Sequence, residues 1–156
     1  TGRDCSGGLT RLHLGHDFMT DVLELQVRGS RAVRDAEKRD AEKSVWWSVL
    51  YALIEGASAA LEIRRNDLNG TLYHHGRGSA PRLVLYDDVP GGAGHVHRVA
   101  DALPAVFAAA LRRVESCDCG EETACHECLW NYYNQTWHAQ LSRGEAVGFL
   151  RAALRR

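Results

Sequence analysis

Four thiols crowd into a dozen residues near the C-terminal end: Cys117-Asp118-Cys119-Gly120, then Cys125-His126-Glu127-Cys128. A C-x-C pair followed by a C-x-x-C pair is the ligand set of a tetrahedral zinc site. Four sulfur ligands leave no coordination position open for substrate, so one zinc ion held by Cys117, Cys119, Cys125 and Cys128 is expected to be structural. Two other readings stand beside this one. His126 is a rival ligand, and the thiols could form a redox pair or stay free. Gly120 lets the chain turn behind the first pair. Arg112 and Arg113, one turn upstream, are placed to offset the charge of a zinc–tetrathiolate centre.

Two further groups of residues could carry chemistry. The first is acidic: Glu55, Asp67, Asp87 and Asp88, with His95 and His97 close in sequence to the last two. Clustered carboxylates with a nearby proton carrier are what a two-metal nuclease needs. These acids come from different elements, so their convergence is a question for the structure. Asp87 and Asp88 lead into Gly91-Gly92-Ala93-Gly94, a strand-to-helix turn that lacks both the third glycine of G-x-G-x-x-G and the G-K-[ST] of a P-loop. The bland alternative is a tight turn with Asp88 bonded to loop amides. The second group is aromatic and amide-rich: Trp130, Tyr132, Tyr133, Asn134, Gln135 and Trp137. These side chains could stack bases or bond phosphates, with Arg112, Arg113 and Arg143 as cationic neighbours, or they could pack the zinc segment onto a core.

The chain that positions these residues has 156 amino acids and a formal charge of −1. Four thiolates and one Zn²⁺ bring that to about −3, which is not the footprint of an autonomous nucleic-acid binder. Its hydrophobic content of 45% suits a globular domain. Nothing approaches 18 consecutive apolar residues, so no membrane span is expected. Thr1–Gly8 has no apolar stretch, so no signal peptide is expected either. The absence of an initiator Met fits a piece of a longer protein. Five cysteines, four of them clustered and Cys5 left over, fit a reducing, cytoplasmic setting better than a disulfide framework.

Along the chain, Arg11 to Val27, with Val22, Leu23, Leu25 and Val27, reads as an extended, partly alternating strand. Ten of the sixteen residues from Arg28 to Lys43 are charged, with mixed signs, which predicts a solvated loop or helical lead-in. Arg28, Arg31, Arg34, Lys38 and Arg39 could contact phosphates there, but interspersed acids weaken that reading. Ser44 caps a predicted helix over 45–61. Asn66 to Gly70 reads as a turn between two short strands. A strand over 82–86 follows, then a long helix that Pro104 kinks or restarts. Ser142 caps a last helix over 143–154. The order suggests an α+β fold: a small mixed β-sheet packed by helices, with a C-terminal helical lobe stapled by zinc through the four clustered cysteines.

The sequence resembles the MrfA-like zinc-binding domain found at the C-terminus of DEAD/DEAH-type superfamily 2 helicases and in DrmB-type subunits of the DISARM phage-defence system. The resemblance rests on His16 to Leu23, Tyr51 to Ala57, Asp67 to Tyr73, Leu85 to His95, Cys117-x-Cys119-Gly120-Glu121-Glu122-Thr123, and Cys125-x-x-Cys128-Leu129-x-Asn131-Tyr132-x-Asn134-Gln135. Trp130 departs from the basic residue expected there, which weakens a phosphate contact at that position. The resemblance implies a domain over 12–156 behind a flexible 1–11 segment, with 28–43 as a charged variable insertion and 117–138 as the zinc lobe. It also implies a zinc-binding accessory role in DNA repair or phage defence, assisting nucleic-acid binding or docking a superfamily 2 helicase in cis or in trans. The chain has no Walker A sequence and no D-E-A-D or D-E-A-H box, so the ATP-driven motor must lie elsewhere. A purely structural protein-interaction domain is the first alternative. A metal-dependent nuclease using Glu55, Asp67, Asp87, Asp88 and His95 is the second.

Overall fold

The computed structural model describes residues 15–27, 36–75 and 80–155, with side chains of the first helix described from Lys43 onward. Cys5, Arg28, Arg31 and Arg34, the 1–11 segment expected to be flexible, and the side chains of Lys38 and Arg39 lie outside the described residues.

The organising element is the helix α1, Ala36–Leu61. It starts well before Ser44, which is therefore inside the helix and not its cap. The charged stretch supplies its first turns. From Trp46 to Ile54 every residue is buried, as expected of a helix covered on several sides. The segment Lys43–Leu61 is long and apolar enough to cross a membrane, yet 67% of it is buried inside the protein. Its apolarity is thus accounted for by the core.

Three strands cover one side of α1: β1 (Val22–Leu25), β2 (Leu68–Tyr73) and β3 (Arg82–Asp87). The order is β1-β3-β2 and both pairings are antiparallel, with Leu23 opposite Leu85 and Gly70 opposite Leu85 on the other edge. The α+β class holds, but the sheet is antiparallel and not mixed. The expected turn over Asn66–Gly70 is also corrected. Arg65–Asp67 is a single 3-10 turn, and Asn69 and Gly70 lie inside β2. A Cβ on Gly70 would lie 2.9 Å from Leu50 Cδ1 and 3.0 Å from the Val84 carbonyl. Glycine is there so that α1 can press on the sheet, not to make a hairpin turn. The first of the two short strands expected around that turn, Leu61 to Arg65, does not form: Leu61 ends α1, Glu62 takes a left-handed φ of 52°, Arg65 opens the 3-10 turn, and Arg98 donates to the Leu61 carbonyl.

The helix α2 (His95–Asp101) packs mainly against β1 and β3, while α3 (Leu103–Glu115) and α4 (Arg143–Leu154) pack against α1. The chain breaks at Ala102 and Pro104 opens α3, where its missing N–H costs nothing. Gly56 of α1 meets α3 at backbone distance: an added Cβ would fall 2.6 Å from the Val106 carbonyl oxygen. Ser142 caps α4 as expected, its hydroxyl accepting from the Glu145 amide. Cys128, Leu129 and Ala124 belong to the same hydrophobic core as Leu50 and Ile54. The cysteine segment is therefore continuous with the core, not an appended lobe.

Candidate metal centre

The first cysteine pair follows the C-cap of α3, Ser116, and the second sits in a tight turn where the amides of Cys128, Leu129 and Trp130 all donate to the Cys125 carbonyl. The four Sγ atoms all lie within 4.8 Å of one another. The separations are 3.4 Å for Cys117–Cys119, 3.4 Å for Cys117–Cys125, 3.7 Å for Cys119–Cys128 and 3.9 Å for Cys125–Cys128. A tetrahedron with Zn–S bonds of about 2.3 Å has S···S edges of about 3.8 Å, so this donor set fits one zinc ion. The distances exceed by far the roughly 2.05 Å of a disulfide, and all four are free cysteines. His126 is exposed and meets the rings of Trp130 and His138 edge to face. It is a neighbour of the centre, and the thiols alone make up the cluster.

The thiols differ in environment. The Cys119 amide lowers the Cys117 thiol, while burial raises Cys119 and raises Cys128 most. Zinc must therefore displace protons to bind, at Cys128 above all.

The centre is fastened to the helices through its backbone. Arg143, the first residue of α4, donates from Nε to the Cys119 carbonyl (3.0 Å) and from Nη1 to that of Val114 (3.2 Å). The amides of Arg143 and Gly144 donate to Thr123 and Glu121, and the Ser142 hydroxyl also reaches Glu121. The loop between the two cysteine pairs is thus held by the N-terminal turn of α4. Arg113 donates to the Cys128 carbonyl at 3.0 Å and lies 3.5 Å from Glu55. Both arginines therefore reach the centre through the carbonyls of its ligand residues, Arg143 at Cys119 and Arg113 at Cys128. The Arg112 side chain is exposed, has no partner among the described residues, and lines an open cleft of about 740 Å³ with Ala59, Ala109 and Glu127.

The aromatic-amide segment divides in two. A 3-10 segment, Tyr132–Gln140, follows the cap residue Asn131, and Asn131 and Asn134 bond each other's backbone amides. Asn134 is buried and also donates to the Leu129 carbonyl. Trp130 stacks on His138 with ring centroids 4.6 Å apart, and Trp137 stacks on Trp47 at 3.9 Å. These residues join the centre to the core. Tyr132, Tyr133 and Gln135 remain exposed.

The acidic residues do not assemble. Among the described residues the four cysteines are the one group of three or more candidate ligands that converges. Glu55 instead binds Arg65 at 2.7 Å, with Arg113 and Asn131 beside it. Asp87 is buried and accepts from the amides of Ala93 (2.6 Å), His95 (3.0 Å) and Val96 (2.9 Å). It makes the turn contact expected of Asp88, which is exposed and accepts from Asn69. His95 lies 3.8 Å from Asp67. The nuclease constellation thus has no shared metal position in this fold. Sequence reasoning missed Glu55 as an ion-pair hub, the buried Ser48, whose hydroxyl accepts from the Ser142 amide, and Asn131 as a cap. For Asn131 the N-x-x-N spacing was an available signal.

Fold and centre together define a small α+β domain built around a four-cysteine zinc site. The family model of the MrfA Zn-binding domain matches residues 49–129, all four cysteines included, and the chain belongs to that family. It is 33% identical over 165 residues to the Druantia protein DruE of Escherichia coli (strain UMEA 4076-1), covering 99% of this chain and 9% of that protein. The crystal structure of the DUF1998 helicase MrfA bound to DNA matches with a TM-score of 0.59 at 19% identity, over 85% of this chain and 16% of that one. At that identity the likeness is one of fold. The chain spans a small fraction of either relative.

Proposed function

We propose that this chain is the zinc-folded accessory domain of a larger helicase-linked DNA-repair or phage-defence protein, and that it assists nucleic-acid binding while the motor does the ATP-driven work. The observation that carries this reading is the closed centre. The four converging sulfurs would fill every position around a zinc ion, and the backbone around them is tied to α3 and α4. Such a site builds a surface and leaves no open position for Lewis-acid chemistry on a substrate. When bound, zinc supplies the cross-link between the two cysteine turns. Arg113 and Arg143 hold those turns against the helices. The reading also draws on the relatives: one is a helicase in complex with DNA and the other is a Druantia protein. A reducing compartment such as the cytoplasm keeps the four thiols available for zinc.

The test is direct. The zinc-loaded chain is titrated with labelled DNA at low and moderate salt, before and after chelation. Zinc-dependent, salt-sensitive affinity is expected; no binding to any DNA at low salt would refute the nucleic-acid role. A second reading, docking of the motor, is favoured by Met19 and Val22, which are 87% and 57% exposed at the sheet end of the domain. Charged substitutions there that release the helicase region while sparing DNA affinity would identify it.

A further inference from the structure

We infer that Tyr132 and Tyr133 form a stacking site for the unpaired bases of single-stranded nucleic acid. This rests on the nucleic-acid reading above and gives it a place and a substrate class. The two residues are 79% and 59% exposed, and neither phenol makes a hydrogen bond among the described residues. Their rings meet edge to face, with centroids 5.5 Å apart and planes at 89°, so an edge covers at most one of the four ring faces. Their backbone is nevertheless fixed, because the Asn131 side chain accepts from the amides of Tyr133 (2.9 Å) and Asn134 (3.1 Å). Two large aromatic rings are thus presented on a capped, well-anchored turn.

No acidic side chain on this segment repels a polyanion, and none is there to recruit a basic partner. From Leu129 to Gly144 the sequence contains no Asp or Glu, whereas 20 acids in 156 residues would place about two in such a stretch. Exposed Gln135, Thr136 and Gln140 add neutral hydrogen-bonding groups on the same segment. Arg113 and Arg143 lie at the cysteine turns that flank it, bonded to the Cys128 and Cys119 carbonyls. Base faces are accessible in single strands and hidden in a duplex, so the site discriminates between them.

The experiment compares the zinc-loaded chain with Tyr132→Ala/Tyr133→Ala and Tyr132→Phe/Tyr133→Phe variants. Each is titrated by fluorescence anisotropy with an oligothymidylate, a strand of equal length rich in abasic sites, and a duplex. Zinc content and melting are measured for every variant. The alanine pair is expected to lose oligothymidylate affinity by about tenfold or more, with duplex affinity and zinc content unchanged. The phenylalanine pair retains affinity, and the abasic strand does not distinguish wild type from variant. Unchanged oligothymidylate affinity in the alanine pair overturns the site while leaving the nucleic-acid role standing. Equal losses on duplex and single strand, or a change in self-association with DNA binding intact, also overturn it. If wild type binds no DNA, both inferences fall.

Discussion

Replacing Asp87 separates a structural carboxylate from a catalytic one. The residue is fully buried, and its two oxygens accept three backbone N–H bonds from Ala93, His95 and Val96 at 2.6–3.0 Å. Asp87→Ala leaves three donors in the turn before α2 without their acceptor. Each such loss costs about 1–3 kcal/mol, and removing the buried charge returns part of the total by ending its own desolvation. The net expectation is a loss of about 3–5 kcal/mol, a large share of a typical domain's stability. Asp87→Asn keeps one acceptor but turns an amide toward a donor, so about half of that loss is expected. Urea unfolding at saturating zinc measures it. With a slope of about 1.5 kcal/mol/M, the midpoint for the alanine variant should fall by about 2–3 M. A midpoint within about 0.3 M of wild type, on that same slope, would refute the capping role and return Asp87 to the candidates for chemistry.

Arg143→Ala removes two hydrogen bonds to the backbone flanking the first cysteine pair and should speed zinc loss to a chelator several-fold. Arg143→Lys should rescue it poorly, since one ammonium cannot reproduce the fork. Gly56→Ala forces a methyl against the α3 backbone and should destabilise the fold by about 1–3 kcal/mol, read as a lower melting temperature. Because burial raises the Cys128 thiol, the zinc-free protein keeps that proton at neutral pH and zinc must displace it. Apparent zinc affinity should therefore fall as pH falls, by about tenfold per unit for each proton displaced, in chelator competition between pH 8 and pH 6. A flat profile would contradict coordination by protonatable thiols.

The cysteine set, the last helix and the restart at Pro104 were legible because each is a local pattern: ligand spacing, a serine cap, a proline in a first turn. Asn69-Gly70 misled for the opposite reason. Its turn chemistry is local, but the glycine answers to Leu50 and Ile54 pressing from α1, a contact sequence does not display. Ser44 misled similarly, since a run of mixed charges ahead of it carries no apolar periodicity to show that the helix has already begun. The mixed sheet could not be corrected from sequence because strand direction depends on how α1 crosses it. Within the site, the ligands were legible and their fastening was not. Arg143 bonds carbonyls 24 and 29 residues away, and Glu55 meets Asn131 across 76 residues. Backbone carbonyls carry no side-chain signature, so no motif announces such partners. The aromatic segment read as one group splits by burial, a property only packing decides.

X-ray absorption at the zinc edge of the purified chain tests the central claim most directly. One zinc per chain with four sulfur neighbours at about 2.3 Å and no nitrogen or oxygen in the inner shell is the expected result. Three sulfurs with one light atom, whether from His126 or from water, would contradict a closed structural centre and reopen the case for chemistry at the metal.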